Sequence, residues 1–376
     1  MNARHRRLLA LGVVALAGGA IAQAPPGPAV QQAYIKAASP GVDDNFGTGV
    51  ALSGETLLVG SPREDSGASG VNGDETDESL ADSGAAYVFV RSGTSWSQQA
   101  YLKATTPAAG DRFGTAVALS GDTAVVGAPG ALVGGVHGGA AWVFVRSGGV
   151  WAPQAVLTAA HPGAGDEFGA ALAISGDTLV VSARFEDSAA VGIDGDETSE
   201  GAGNSGAAWV FVRSGTVWSQ QAYVKASNAG AGDAFGFSLA LDGDTLAVGA
   251  NAEDSAATGV NGDQTSNAAS GSGAAYVFVR SGASWSQQAY LKASNTGIAD
   301  AFGVSVALGG ETLAVGANFE DSASAGVNGD QTSNAQPGAG AAYVFVRSGT
   351  SWSQQAYVKA SNPGPDTFGP GFDPLT

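Results

Sequence analysis

The chain of 376 residues carries 58 glycines, about twice the usual share, and only 13% charged residues, about half the usual fraction. Its 34 Asp and Glu against 16 Lys and Arg give a net charge of −18, which argues against a nucleic-acid partner because that role needs a basic face. Zero cysteines exclude disulfides and thiolate metal sites, 44% hydrophobic residues exclude a disordered acidic chain, and glycine without a Gly-X-Y period excludes collagen.

Residues 1–22 read as a secretory signal peptide. Arg4, Arg6 and Arg7 precede an apolar stretch that ends in Ala20-Ile21-Ala22. That stretch is short for a membrane span of about 20 residues. No later segment is long and apolar enough for one, so no stable membrane insertion is expected. The expected location is secreted, periplasmic or at the cell surface. Residues 23–30 read as a linker, 31–369 as one repeat array and 370–376 as a tail.

Phe-Gly recurs at Phe46, Phe113, Phe168, Phe235, Phe302 and Phe368, with spacings of 67, 55, 67, 67 and 66 residues. Each of the first five opens the same unit. A first strand reads like Phe113-Gly-Thr-Ala-Val-Ala-Leu, and a Gly-Asp or Gly-Glu turn follows. Glycine there supplies the positive φ of a tight II′ hairpin. A second strand reads Thr123-Ala-Val-Val-Gly-Ala. A third reads Gly-Ala-Ala-Tyr-Val-Phe-Val-Arg, ending at Arg91, Arg146, Arg213, Arg280 and Arg347. A fourth reads like Trp96-Ser-Gln-Gln-Ala-Tyr-Leu-Lys103. β-Branched and aromatic runs between turn residues predict strands, and no window shows a capped helical period. Four antiparallel strands at a fixed period predict an all-β fold, a β-propeller of four-stranded antiparallel blades. The chain supplies five blades, either as a closed five-bladed ring or as an arc of a larger one. Its N-terminal stretch Gln31-Gln-Ala-Tyr-Ile-Lys36-Ala reads as a sixth fourth strand. The tryptophans recur at fixed repeat positions, which predicts packing rather than a sugar platform.

The unit Phe-Gly…Val-Ala-Leu…Leu-Ala-Val-Gly-Ala…Gly-Ala-Ala-Tyr-Val-Phe resembles the FG-GAP repeat, the blade unit of integrin-α-type β-propellers. The resemblance covers residues 31–369. It implies a propeller and, commonly, extracellular binding or adhesion. Two departures stand out: the family's Asp-rich calcium loop between first and second strands is here a two-residue turn, and the usual ring of seven blades is here five.

The basic residues sit mostly at two repeat positions, the third-strand arginines and the fourth-strand Lys36, Lys103, Lys225, Lys292 and Lys359. Strand alternation places the loops before each Phe-Gly and those between second and third strands on one face, and these loops hold most of the 34 carboxylates. One set lies two residues before each Phe: Asp44, Asp111, Asp166, Asp233, Asp300 and Asp366. These read as loop-capping residues. The other set is a long loop in units 1, 3, 4 and 5, absent from unit 2. Its oxygen-bearing side chains are candidate Ca2+ ligands, since a hard cation takes carboxylate and amide oxygens. They are Asp65, Asn72, Asp74 and Glu78 in unit 1 and Asp187, Asp194, Asp196 and Glu200 in unit 3. Unit 4 offers Asp254, Asn261, Asp263 and Asn267, and unit 5 Asp321, Asn328, Asp330 and Asn334. Turn chemistry and a solubilising charged rim are competing readings. His137 and His161, with Asp166 or Glu167, form a weaker transition-metal candidate. No catalytic motif appears, and no catalytic residue is assigned. The expected function is an exported binding or adhesion module, monomeric, contacting an extracellular protein or glycan through the acidic face, with calcium as its candidate cofactor. The alternatives are a structural part of a larger cell-surface protein and a secreted hydrolase or lyase with a channel-centred site.

Overall fold

The computed structural model describes residues 31–362. The expected signal peptide, linker and tail lie outside the described residues, as do Asp366 and the sixth Phe-Gly. Among the described residues no helix forms, so none crosses a membrane. Blade 1 is β1 (Val50–Ser53), β2 (Thr56–Ser61), β3 (Ala85–Ser92) and β4 (Ser95–Leu102). Blade 2 is β5 (Val117–Ser120), β6 (Thr123–Ala128), β9 (Ala140–Ser147) and β10 (Val150–Leu157), interrupted by the small hairpin β7 (Leu132–Val133) and β8 (Val136–His137). Blade 3 is β11 (Leu172–Ser175), β12 (Thr178–Ala183), β13 (Ala207–Ser214) and β14 (Val217–Val224). Blade 4 is β15 (Phe235–Asp242), β16 (Thr245–Ala250), β17 (Ala274–Ser281) and β18 (Ser284–Leu291). Blade 5 is β19 (Phe302–Gly309), β20 (Thr312–Ala317), β21 (Ala341–Ser348) and β22 (Ser351–Val358). Every sheet is antiparallel with neighbours in chain order. This is the all-β array of four-stranded blades that the repeat predicts.

The local chemistry repeats with the strands. Gly54 and its four equivalents take φ of 55–56° in the first hairpin turn. The acid that follows pairs with the arginine ending the third strand: Glu55 with Arg91, Asp122 with Arg146 at 2.6 Å, Asp177 with Arg213, Asp244 with Arg280 and Glu311 with Arg347. One prediction needs correction. The first strand of blades 1–3 begins four residues after the Phe of Phe-Gly rather than at it, and only blades 4 and 5 pair from Phe235 and Phe302.

Successive sheets stack, and each interface is a separate apolar cluster. Leu58, Val88, Ala100 and Leu102 of blade 1 meet Phe113, Val126, Trp142 and Phe144 of blade 2, and the pattern recurs between blades 2 and 3, 3 and 4, and 4 and 5. Full burial of one such aliphatic side chain stabilises the fold by about 1.5–3 kcal/mol. The backbones come so close that a Cβ on Gly60 would lie 2.0 Å from the Gly114 carbonyl oxygen, so only glycine fits.

Polar bonds lock the same interfaces. A β-bulge sets one glutamine apart in each fourth strand, at Gln99, Gln221 and Gln288, and at Gln154 beside Pro153. The bulged side chain accepts from the indole of the next blade: Trp151 to Gln99 at 2.8 Å, Trp218 to Gln154 at 2.9 Å, Trp285 to Gln221 at 2.9 Å and Trp352 to Gln288 at 2.8 Å. Re-aiming a side chain is what a bulge does. The third-strand arginine also donates back to a threonine of the preceding blade, as Arg146 Nη1 does to Thr56 at 3.0 Å. The predicted packing role of the tryptophans therefore holds in blades 2–5, with an added hydrogen-bonding one.

The two ends differ. Val50 and Leu52 on β1 are 52% and 63% exposed, and no apolar cluster among the described residues joins blade 5 to blade 1. On blade 5, Thr312 and Gln355 are exposed where Thr56, Thr123, Thr178 and Thr245 are buried. Among the described residues the array is open between its last and first blades. The expected sixth fourth strand does not form. Residues 31–37 are unpaired, with Tyr34 79% exposed and only Ile35 and Ala37 packed against blade 1. A lone fourth strand has no third strand beside it to complete its ladder.

Candidate functional site

The two loop sets meet at one end of the blades. The Asp44 carbonyl accepts from the Arg63 amide and the Ser61 hydroxyl, which joins the loop before Phe46 to the loop after β2. The aspartates before Phe-Gly are buried caps. Each accepts an N–H three residues upstream: Gly41 to Asp44 at 2.6 Å, Ala108 to Asp111 at 2.8 Å, Gly163 to Asp166 at 2.7 Å, Gly230 to Asp233 at 2.8 Å and Gly297 to Asp300 at 2.9 Å. Burial pushes the carboxyls up, Asp166 to about 6 and Asp233 and Asp300 to about 7, with nearby glutamates and aspartates adding to the shift.

Under each long loop sits a buried ion pair. Lys103 Nζ donates to Glu64 at 2.7 Å and to Ser83 Oγ at 2.7 Å, while the Tyr101 hydroxyl donates to the other Glu64 oxygen at 2.6 Å. The set repeats as Lys225–Glu186–Tyr223, Lys292–Glu253–Tyr290 and Lys359–Glu320–Tyr357. Burial lowers the Lys103, Lys225 and Lys292 ammonium groups, opposed by their glutamates, and raises the tyrosines. These four glutamates were absent from the sequence-based candidates, and the lysines read only as scaffold. The signal was present: Glu and Lys stand 39 residues apart in all four units, and unit 2, with Thr158 at the lysine position, has neither.

From that anchor the loop crosses to the free edge of the fourth strand. Lys103 N donates to Gly70 O at 2.8 Å, Gly70 N donates to Ala104 O at 3.2 Å, and Asn72 N donates to Tyr101 O at 2.8 Å. This covers an edge that would otherwise offer unpaired backbone groups. The candidate calcium ligands fall into four groups. Asn72, Asp194, Asn261 and Asn328 have φ of 53–56° and each accepts the backbone N–H of the fourth-strand tyrosine at 2.9–3.0 Å. Asp65, Asp187, Asp254 and Asp321 accept the N–H seventeen residues on at 2.7–2.8 Å. Asp74, Asp196, Asp263 and Asp330 each hold the amide and hydroxyl of a threonine two residues on, which keeps their carboxyls below the usual range. Glu78, Glu200, Asn267 and Asn334 reach solvent. Among the described residues no three His, Asp or Glu side chains come together as a metal-binding group. The histidine candidate is dispersed as well: His137 pairs with the Gly130 carbonyl at 2.8 Å, and Glu167 pairs with Arg184 at 2.7 Å.

The sheets and their repeated joints define a β-propeller module. A family model for the FG-GAP repeat matches residues 29–89, 96–144, 151–211, 218–278 and 285–345, and the chain belongs to that family. A search of curated proteins returned no match. Each match runs from a fourth-strand position through the third strand of the following sheet, so the family's unit is staggered by one strand against the blade.

Proposed function

We propose that the chain is an exported propeller module that binds an extracellular protein or glycan through its acidic loop face. The observation that carries this reading is the buried Glu–Lys–Tyr anchor, repeated in four blades, under loops whose outer side chains reach solvent. Burying a charged pair in four copies to hold four solvent-exposed loops in one geometry suits a presented surface, because such pairs add specificity of conformation more readily than stability. Against a net charge of −18, a partner with a basic face would be steered to it. Calcium is part of the proposal. Among the described residues, the second carboxylate oxygens of Asp74, Asp196, Asp263 and Asp330 have no protein hydrogen bond and, with the exposed carboxylates of Glu78 and Glu200, are among the atoms left to hold it. Melting with calcium and then with chelator tests that part, and an unchanged melting temperature removes it. The binding itself is tested on protein and glycan arrays with the full chain and a variant carrying Asn or Gln at Asp74, Glu78, Asp196, Glu200, Asp263 and Asp330. Retention of signal only by the parent supports the loop face, and equal signals refute it.

The bare faces of blades 1 and 5 favour a second reading, a structural part of a larger cell-surface assembly with no ligand of its own. Absence of any array signal, together with concentration-dependent association in sedimentation, would support that reading over the first.

A further inference from the structure

Unit 2 departs from its neighbours in three places at once. The long loop is replaced by the hairpin β7–β8, Lys by Thr158, and the fourth-strand tyrosine by Val156. In the other blades that tyrosine packs beside the third-strand aromatic, as Tyr223 does on Trp209 at 5.3 Å. Here the space is left open as a cavity of about 280 Å³ lined by Ala108, Asp111, Leu132, Val133, Trp142 and Val156. Asp111 is 2% exposed. Its Oδ2 accepts the Ala108 amide, and among the described residues its buried Oδ1 has no hydrogen-bond partner. None of the equivalent caps Asp44, Asp166, Asp233 and Asp300 has a buried oxygen left in that state.

We propose that this cavity binds the ammonium group of a small organic amine, with Asp111 Oδ1 accepting its N–H and the Trp142 ring beside it. The site lies at the same loop end of the blades, between the loop before Phe113 and the β6–β9 connection of unit 2, but it uses none of the long-loop side chains and does not depend on the function proposed for them. A buried acceptor without a donor is costly, and a charged donor recovers more than a neutral one. An indole attracts a cation, and the remaining alanine, leucine and valine surface suits an alkyl chain. The volume lies near the lower end of small-ligand pockets, about 300 Å³. The acidic loops raise the local concentration of cations.

The probe is n-butylammonium, with n-butanol as its neutral counterpart, titrated into the full chain at pH 8 and followed by ligand-observed NMR. Saturable binding of the ammonium, at least about tenfold tighter than the alcohol, is expected from pairing a buried charge. Asp111→Asn keeps an oxygen for the Ala108 amide and loses the preference for the cation. Val156→Tyr installs the residue of the other blades and removes binding of both probes, while circular dichroism confirms the fold of each variant. Equal affinity for amine and alcohol, unchanged preference in Asp111→Asn, or no saturable binding because water alone fills the cavity would each overturn the proposal.

Discussion

Lys225 shows most plainly what a single side chain does here. Its ammonium is fully buried and holds Glu186 at 2.6 Å and Ser205 at 2.7 Å. Lys225→Met leaves the glutamate charge buried without its partner, and a loss of about 3–5 kcal/mol is expected in urea unfolding. Adding Glu186→Gln should return a large part of that loss, because unit 2 folds with both charges absent. Asp300 gives a pH signature. An unfolded aspartate titrates near about 3.9, and burial among Glu320 and Asp321 pushes folded Asp300 up to about 7. Between those values the folded state holds a proton that the unfolded state has released, so this group's contribution is greatest at low pH and is lost as pH rises towards 7. Asp300→Asn abolishes that contribution. The melting temperature of the parent relative to the variant should therefore fall from pH 5 to pH 8, and parallel profiles would count against the assignment.

Strands and turns were legible because each carries a local signal: alternation, a Gly-Asp turn, an aromatic-rich third strand. The capping aspartates were legible for the same reason, since their partners lie three residues away. What escaped was non-local. Gln221 reads as one of two adjacent strand glutamines, and nothing nearby marks it as the bulged residue that accepts from Trp285 in the next blade. Residues 31–37 have every local mark of a fourth strand, yet a strand exists only beside a neighbour, and propensity cannot supply one. The loop residues were legible as oxygen donors but not as already committed, because Asn72 and Asp65 bond to backbone groups far along the chain. At this scale the bulge has a measurable role. Gln221→Leu strands the Trp285 indole N–H, also removes an acceptor of Arg280, and should cost about 1–3 kcal/mol. Gln355→Leu, at the equivalent position of blade 5, faces no following indole, so its effect on thermal unfolding should be near zero.

Across the whole molecule, stability is a sum of blades and of the joints between them. Blades 2–4 have two joints each, and blades 1 and 5 have one. Hydrogen exchange should follow that count, with the amides of β12, β13, β16 and β17 slowest and those of β1 fastest. Uniform protection from blade 1 to blade 5 would instead mean that the ends are covered in solution.

The stagger between family unit and blade has a mechanical meaning. The boundary between the fourth and fifth matches lies around Ser281-Gly282, in the turn that joins β17 to β18. A cut there severs the chain between two copies but not between two blades, because β17 and β18 remain paired from Ala275–Leu291 to Ser281–Ser284. Each copy thus grips its predecessor with its own first strand, like links closed around one another. A protease nick at that turn should leave two pieces that part on a denaturing gel yet travel as one particle in native sedimentation.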